Sequence, residues 1–513
     1  MIWIIVIAIV VLIIVAVALH DLFQKKHAIL RNFPLIGHGR YLIEKLGPEL
    51  RQYIVSRNDE ERPFSRDQRG WIYASSKKEN NYSGFGTDNE LERSANYLII
   101  KHSVFPITSP LPSSPEYDPN YTLPCSKILG GHRDRKLKFR PSSVINISGM
   151  SFGSLSANAV EALNRGAAIC GCLQSTGEGS ISPYHDHGGE LVWQLGTGYF
   201  GCRADDGGFS IERFQKTLER YPQVRAIEVK LSQGAKPGAG GLLPKKKITQ
   251  EISEIRGIPM DRDCASPAAH SAFRNADELL DFVEKLADVS GRPVGIKSAV
   301  GQMEFWDELV ERMSNGQRAV DFVTIDGGEG GTGAAPLAFA DYVALPFKKG
   351  FSRVYRKFHD AGLHERIVFV GSGKLGFPEQ ALMAFALGVD MINIAREAML
   401  SIGCIQAQSC HTNFCPSGVA TQNKWLMRGL DPSLKSARAA NYITTLRKEI
   451  IALCHACGVE HPALISLEHL ELIDDRFGSR EFADVFGYQS IRRTPQSADI
   501  DECIAIMRSG QGN

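Results

Sequence analysis

"FVTIDGGEGGTGAAP", residues 322–336, sets a five-residue apolar run directly against a loop with five glycines in seven residues. A run that short, rich in β-branched and aromatic residues and stopped by turn residues, reads as a buried strand rather than a helix. The same construction recurs along the chain. "INIS" (145–148), "CLQS" (172–175), "GYFGCR" (198–203), "IEVKL" (227–231), "VGIKS" (294–298), "IVFVG" (367–371) and "INIA" (392–395) each lead into a glycine-rich or polar loop and then a helical pattern. Eight strands alternating with helices predict an α/β fold, a (β/α)8 TIM barrel spanning 143–430.

In such a barrel the loops after the strands carry the chemistry. Here they read "GMSFGSLS", "TGEGS", "QGAKPGAGG", "GGEGGTGAAP", "GSGKLG" and "AREAML". Their glycines let backbone approach a ligand closely, although each loop alone would also suit an ordinary connector. "GSGKLG" (371–376) fits a dinucleotide fingerprint, but that motif needs an acidic residue ending the next strand, and Asp390 precedes it. The loops after strands seven and eight of a barrel commonly hold a phosphate. Main-chain N–H groups of Gly371, Ser372 and Gly373, with Arg396, are therefore expected to hold a monophosphate. Lys297 stands in an otherwise apolar strand. It needs either a salt-bridge partner or a flavin edge that gathers negative charge. Gln233 and Lys236 lie on one glycine-rich loop and Arg256 ends a helical stretch, a set that suits a small dicarboxylate. Solvated surface charge is the plain alternative.

Cys404, Cys410 and Cys415 fall within twelve residues, and Pro416 follows the last. Zinc would need a fourth ligand, for which His411 stands adjacent. An iron–sulfur cluster lacking one iron needs only the three thiolates, and a proline after the last cysteine also occurs in ferredoxin runs. "CHAC" (454–457) has no second pair to complete a metal site and reads as two helix cysteines.

Lys plus Arg number 58 against 57 Asp plus Glu, so no general field favours nucleic acid. The composition, 43% hydrophobic and 22% charged, is that of a globular protein with a core. The first nineteen residues carry no charge, and as a helix they would span about 28 Å. A signal peptide would want a basic start, whereas Lys25, Lys26 and Arg31 follow the run. The positive-inside rule then predicts a single-pass membrane anchor with the body on the cytoplasmic side. There structural disulfides are not expected. The expected organisation is an anchor at 1–19, a loop-rich extension packed on the barrel at 20–142, the barrel at 143–430 with its cysteine segment at 404–415, and a helical extension and tail at 431–513.

Together these segments resemble the FMN-binding synthase domain of the glutamate synthase family. "ISGMSFGSLS" is similar to its methionine-containing first loop, "STGEG" to its "NTGEG", "QGAKPGAGGLLP" to its "QGAKPGEGGQLP" and "GGTGAAP" to its "GGTGASP". "CIQAQSCHTNFCPSGVATQ" matches its cluster segment in cysteine spacing and tail. The resemblance implies that Cys404, Cys410 and Cys415 ligate a 3Fe–4S cluster. It implies that Met150, Ser151, Thr176, Glu178, Lys297, Gly327, Gly328, Gly371, Ser372, Gly373, Ala395 and Arg396 line FMN. Gln233, Lys236, Arg256 and Ser151 would hold 2-oxoglutarate, with Lys236, Lys297 and Gln233 as catalytic groups. The implied reaction reduces 2-iminoglutarate, made from 2-oxoglutarate and ammonia, to L-glutamate, the cluster passing electrons to FMN. Leu242 stands where the family has glutamine, Ala239 replaces a glutamate, Tyr199 an arginine, and Ser372 and Lys374 alter the turn after strand seven. An FMN and iron–sulfur oxidoreductase or amino-acid synthase acting on a different oxo-acid or amine is thus the alternative enzyme. A membrane-tethered electron-transfer subunit without substrate chemistry is the non-enzymatic rival. No amidotransferase or pyridine-nucleotide segment is expected. Ammonia and electrons, from a ferredoxin or a reductase subunit, would come from separate partners.

Overall fold

The computed structural model describes residues 2–24, 28–55, 59–92, 94–115, 117–474, 476, 478–488 and 497–509. Lys25 and Lys26, on which the orientation of the anchor partly rests, lie outside the described residues. The chain divides into two compact units, Met1–Gly70 and Trp71–Asn513.

The first unit begins with α1 (Ile2–Phe23), followed by the short α2 (Ala28–Asn32) and by α3 (Gly37–Leu50). Helix α1 is long and apolar enough to cross a membrane, and no residue of its most apolar stretch is buried by protein.

The second unit is built on a closed barrel of eight parallel strands in chain order. They are β1 (Ile145–Ile147), β2 (Gln174–Ser175), β3 (Leu191–Leu195), β4 (Val224–Lys230), β5 (Val294–Ser298), β6 (Phe322–Asp326), β7 (Val368–Ser372) and β8 (Met391–Ile394). Strand β8 closes onto β1 through the pairs Ile392–Ile145, Asn393–Asn146 and Ile394–Ile147. Helices α4 (Ala157–Cys170), α5 (Ile211–Arg220), α6 (Gln250–Arg256), α7 (Ala276–Ser290), α8 (Glu304–Met313), α9 (Phe347–Asp360), α10 (Pro378–Leu387) and α11 (Arg396–Ser401) lie in the connections after the strands, two of them (α6 and α7) after β4, while β2 is followed only by the 3-10 turn Pro183–His185. The cap chemistry is local: the Ser156 and Asn275 side chains accept the amides of Ala159 and Glu278 and start α4 and α7.

One strand differs from expectation. The third is "LVWQL" at 191–195, not "GYFGCR" at 198–203. Leu191, Trp193 and Leu195 are buried, but so is Gln194, which gives its amide to Glu228 inside the barrel. That inward glutamine breaks the apolar signal. Residues 198–203 instead form a turn in which Tyr199 and Gly201 take positive φ.

The end of the barrel opposite the loop face is plugged. Cys125, Leu129 and Phe139, ahead of β1, pack with Leu173, Ala226, Phe322, Val368 and Met391 in one apolar cluster. Beyond the barrel, α12 (Pro432–Ala456) packs on α4 and α10. The stretch before the barrel and the tail also share a small antiparallel sheet, Tyr97–Ile100 with Leu470–Ile473 and Ser479–Glu481, which the sequence reading did not foresee.

Candidate active site

The carboxyl ends of the strands deliver a ring of charge. Period-two geometry sends alternate residues of a strand to the same side. In β4 these are Glu228 and Lys230, and in β6 Thr324 and Asp326. Glu228 accepts from Gln194 Nε2 at 2.5 Å and from Thr324 Oγ1 at 2.7 Å. Lys297, at the end of β5, is buried, with its Nζ 3.6 Å from Asp326 Oδ2 and 3.5 Å from Ser148 Oγ. Burial opposes its charge, but Asp326 and Glu228 outweigh that and raise its pKa above the usual lysine value. The lone lysine of the sequence reading thus has both a salt-bridge partner and a position on the open face.

The next layer out carries Glu178, Lys230 and Gln233. Lys230 Nζ lies 3.1 Å from Glu178 Oε1 and donates to Gln233 Oε1 at 2.7 Å. Glu178 is half-buried, and the loss of water by itself would raise its pKa, yet Lys230, Lys236 and Arg256 hold the carboxyl below its usual range. Lys236 Nζ donates to Ala334 O at 2.9 Å, which ties the β4 loop to the β6 loop. Burial pushes Lys236 down to about 8, against the pull of Glu178. Arg256 is buried behind the first loop. Its Nη2 donates to Phe152 O at 2.8 Å and to Ser151 Oγ at 3.2 Å, and its guanidinium sits 5.3 Å from the Phe200 ring centre. Ser151, Arg256, Glu178, Gln233 and Lys236 therefore converge as one neighbourhood.

The opposite rim is backbone on backbone. A Cβ on Gly234 would stand 1.8 Å from the carbonyl oxygen of Gly327, so only glycine lets these loops meet. Gly327 N donates to Ser372 O at 2.9 Å and Gly328 N to Leu345 O at 2.9 Å. Gly373, with φ of 137°, packs against Gly327. The Arg396 guanidinium donates to Glu329 O, and its stem fills the space beside Gly331. Gly371 belongs to β7, and Ala395 precedes α11 with its N–H on Glu397. Met150 is half-buried on the first loop, and Thr176 is buried with its hydroxyl on Gly177 O.

The donor set fits a flavin mononucleotide. Ser175 Oγ, at the end of β2, is buried with no hydrogen-bond partner among the described residues. With the Lys297 ammonium it offers donors for a ring edge rich in acceptors. Glycine loops beside Arg396 suit a phosphate. The cysteine segment does not reach the same standard. Among the described residues no three His, Cys, Asp or Glu side chains are gathered to hold a metal ion. Burial, with the Cys415 thiol nearby, raises the Cys410 pKa, the Cys415 thiol lies 3.4 Å from Ser417 Oγ, and Cys404 Sγ accepts from Gln406 N. All eleven cysteines are free thiols.

Lys247 escaped the sequence reading. Its buried ammonium donates to Ser154 O at 2.6 Å, Ala420 O at 3.2 Å and Cys410 O at 3.3 Å, pinning the first loop to the cysteine segment. Nothing in "PKKKIT" distinguishes it from its two neighbours. Glu228, Lys230 and Asp326 also went unmarked, although ionisable residues at alternate positions in apolar strands were a usable signal. At Tyr199, the departure from arginine, the hydroxyl accepts from Ala272 N and bonds His270 Nδ1, whose Nε2 reaches Lys230 O. Burial drops His270 to about 4, so it is a neutral brace behind Lys230.

The conserved region of glutamate synthase matches residues 132–460. The chain belongs to the glutamate synthase family. A glutamate synthase large subunit-like protein, YerD, of Bacillus subtilis (strain 168) is 38% identical over 477 residues, which cover 87% of this chain and 90% of that protein. An archaeal glutamate synthase (NADPH) of Methanocaldococcus jannaschii is 34% identical over 321 residues, 61% of this chain and 59% of the relative. Glutamate synthases are oxidoreductases acting on CH–NH2 donors, and this member of the family is an enzyme. Among solved structures, a double mutant of flavocytochrome b2 with pyruvate bound aligns at a TM-score of 0.44 and 12% identity, over 90% of this chain and 96% of that one.

Proposed function

We propose that this member of the glutamate synthase family reduces the imine of 2-oxoglutarate, or of a closely related oxo-acid, to the amino acid, with FMN in the barrel mouth. The observation that carries the reading is the convergence of Lys236, Gln233, Arg256 and Ser151 on one rim, over the buried Lys297–Asp326 pair. FMN, when bound, supplies hydride. Lys297, Thr176, Glu178, Met150 and Ser151 would hold its ring, and Gly327, Gly328, Gly371, Ser372, Gly373, Ala395 and Arg396 its phosphate end. Lys236 Nζ and the Arg256 guanidinium would take the substrate carboxylates as point charge and fork respectively. Reduction of an imine also places a proton on nitrogen. Lys236 Nζ, titrating near 8, can hold that proton at neutral pH. Lys297 Nζ keeps its charge and would stabilise negative charge gathered at the floor of the mouth. Gln233 keeps Lys230 turned toward Glu178 and so leaves Lys236 to the substrate.

Ligation of a 3Fe–4S cluster by Cys404, Cys410 and Cys415 is a separate part of the proposal, supported by their spacing. Among the described residues the thiols do not form a ready site. Iron and acid-labile sulfide analysis of anaerobically purified protein tests it, and zinc without iron would replace it. Ammonia and reducing equivalents come from separate partners in this reading, and α1 anchors the enzyme with its body in the cytoplasm.

The test is glutamate formation from 2-oxoglutarate and ammonium with a chemical reductant, run beside a panel of oxo-acids. Activity on one oxo-acid that collapses in Lys236→Ala supports the assignment. Equal turnover in Lys236→Ala, or none with any oxo-acid, refutes it.

A further inference from the structure

The first unit carries a second apolar surface beyond α1. From residue 36, helix α3 and the π-helical turn Arg51–Val55 that continues it present Ile36, Leu42, Ile43, Leu46, Leu50 and Ile54 along one side. Successive residues on a helix step by about 100°, and these six fall within one third of its circumference. All are solvent-facing, from 44% exposed at Leu50 to 82% at Ile36. Arg40, Glu44, Lys45 and Arg51 occupy the rest, with Arg40 donating to Glu44 at 2.7 Å. A continuous aliphatic stripe of this size facing water marks an interaction surface.

The place where the helix begins identifies what covers it. Asp21 lies in the last turn of α1 and is wholly buried. Its carboxylate accepts Leu35 N at 3.0 Å and meets His38 Nε2 at 3.0 and 2.9 Å. This clasp fixes residues 35–38 beside the exit of the membrane-length helix. The tight packing of Gly37 on Leu30, where an added Cβ would lie 3.0 Å from Leu30 Cδ2, holds the turn closed. The amphipathic segment therefore starts at the depth where the span leaves the hydrocarbon. A helix with an aliphatic face, a charged opposite face and that starting level is built to lie in the bilayer surface.

We propose that residues 36–54 form an interfacial helix whose aliphatic face sits in the headgroup–acyl boundary beside α1, so that lipid is the partner of this surface. The assignment rests on α1 spanning a membrane, and the test separates the two. A diazirine-bearing residue is placed singly at Val10, Glu44, Ile43 or Leu46 of the full chain. Each protein is reconstituted in vesicles of phosphatidylcholine and phosphatidylglycerol and irradiated. Lipid adducts are expected at Val10, Ile43 and Leu46, and at least several-fold fewer at Glu44. Labelling at Val10 with Ile43 and Leu46 no higher than Glu44, or with Ile43 and Leu46 cross-linked to protein, overturns the interfacial helix and leaves the span standing. No lipid adduct at Val10 overturns the span, and the interfacial assignment with it.

Discussion

Two lysines in the mouth are set in opposite directions by the same burial. Lys236 sits near 8 because the loss of water outweighs Glu178, while Lys297 is raised because Asp326 and Glu228 outweigh it. For Lys236 the protonated form exists below about 8, and that form holds a carboxylate. The KM for the oxo-acid is therefore expected to climb about tenfold per pH unit above 8 in the wild type. In Lys236→Arg, whose guanidinium stays charged, the climb should vanish. Steady-state kinetics across that range reads the difference. At Lys297, replacement by methionine leaves the Asp326 and Glu228 carboxylates buried without their cation, and stability should fall by about 3–5 kcal/mol. Adding Asp326→Asn should recover part of that loss, because one of the stranded charges goes with it. Denaturant unfolding in detergent compares the three, and flavin content, read from absorbance, should fall with Lys297→Met.

Most strands were legible in the sequence and one was not, for a physical reason. β5 and β6 are short apolar runs ended by polar or glycine turns, and "VGIKS" and "FVTID" mark their limits. β3 hides a working glutamine, and the glycines after it look like a strand boundary when they are the loop itself. The active-site rim was legible as a concentration of glycine and polar residues on one predicted face. Its internal wiring was not: Lys230–Glu178 and Lys236–Ala334 join loops far apart in sequence, and no local pattern encodes such pairs. The Gly234–Gly327 crossing is the sharpest of these contacts. Gly234→Ala puts a methyl against a carbonyl oxygen, neither of which belongs to a flexible side chain, and should cost about 3 kcal/mol or more. Circular dichroism should still report a barrel, while binding of the oxo-acid is lost. His270 braces Lys230 from farther along the β4–β5 connection. Its folded pKa of about 4 lies below its unfolded value, so the unfolded chain binds more protons between about pH 4 and 6.5. Its contribution is complete above pH 6.5 and is lost as the pH falls towards 4. His270→Gln should flatten that acid limb of a stability–pH curve.

For the whole molecule, the structure has α1 in one compact unit, Met1–Gly70, and the barrel in the other. The plug beneath the barrel and the small sheet shared with the tail were not legible, because both join segments that no local sequence pattern links. The full chain is expected to stay with the membrane pellet through an alkaline carbonate wash, and its flavin with it. Release of the folded protein into the supernatant would remove the anchor from the account. The central claim, imine reduction by a flavin in this barrel, is tested most directly by one titration. The anaerobic protein is reduced chemically until its flavin band is bleached, and 2-oxoglutarate and ammonium are then added singly and together. Return of the band only with both present, with glutamate formed in proportion to flavin, is the predicted result. Protein without a flavin band, or a bleached band that no oxo-acid with ammonium restores, would contradict it.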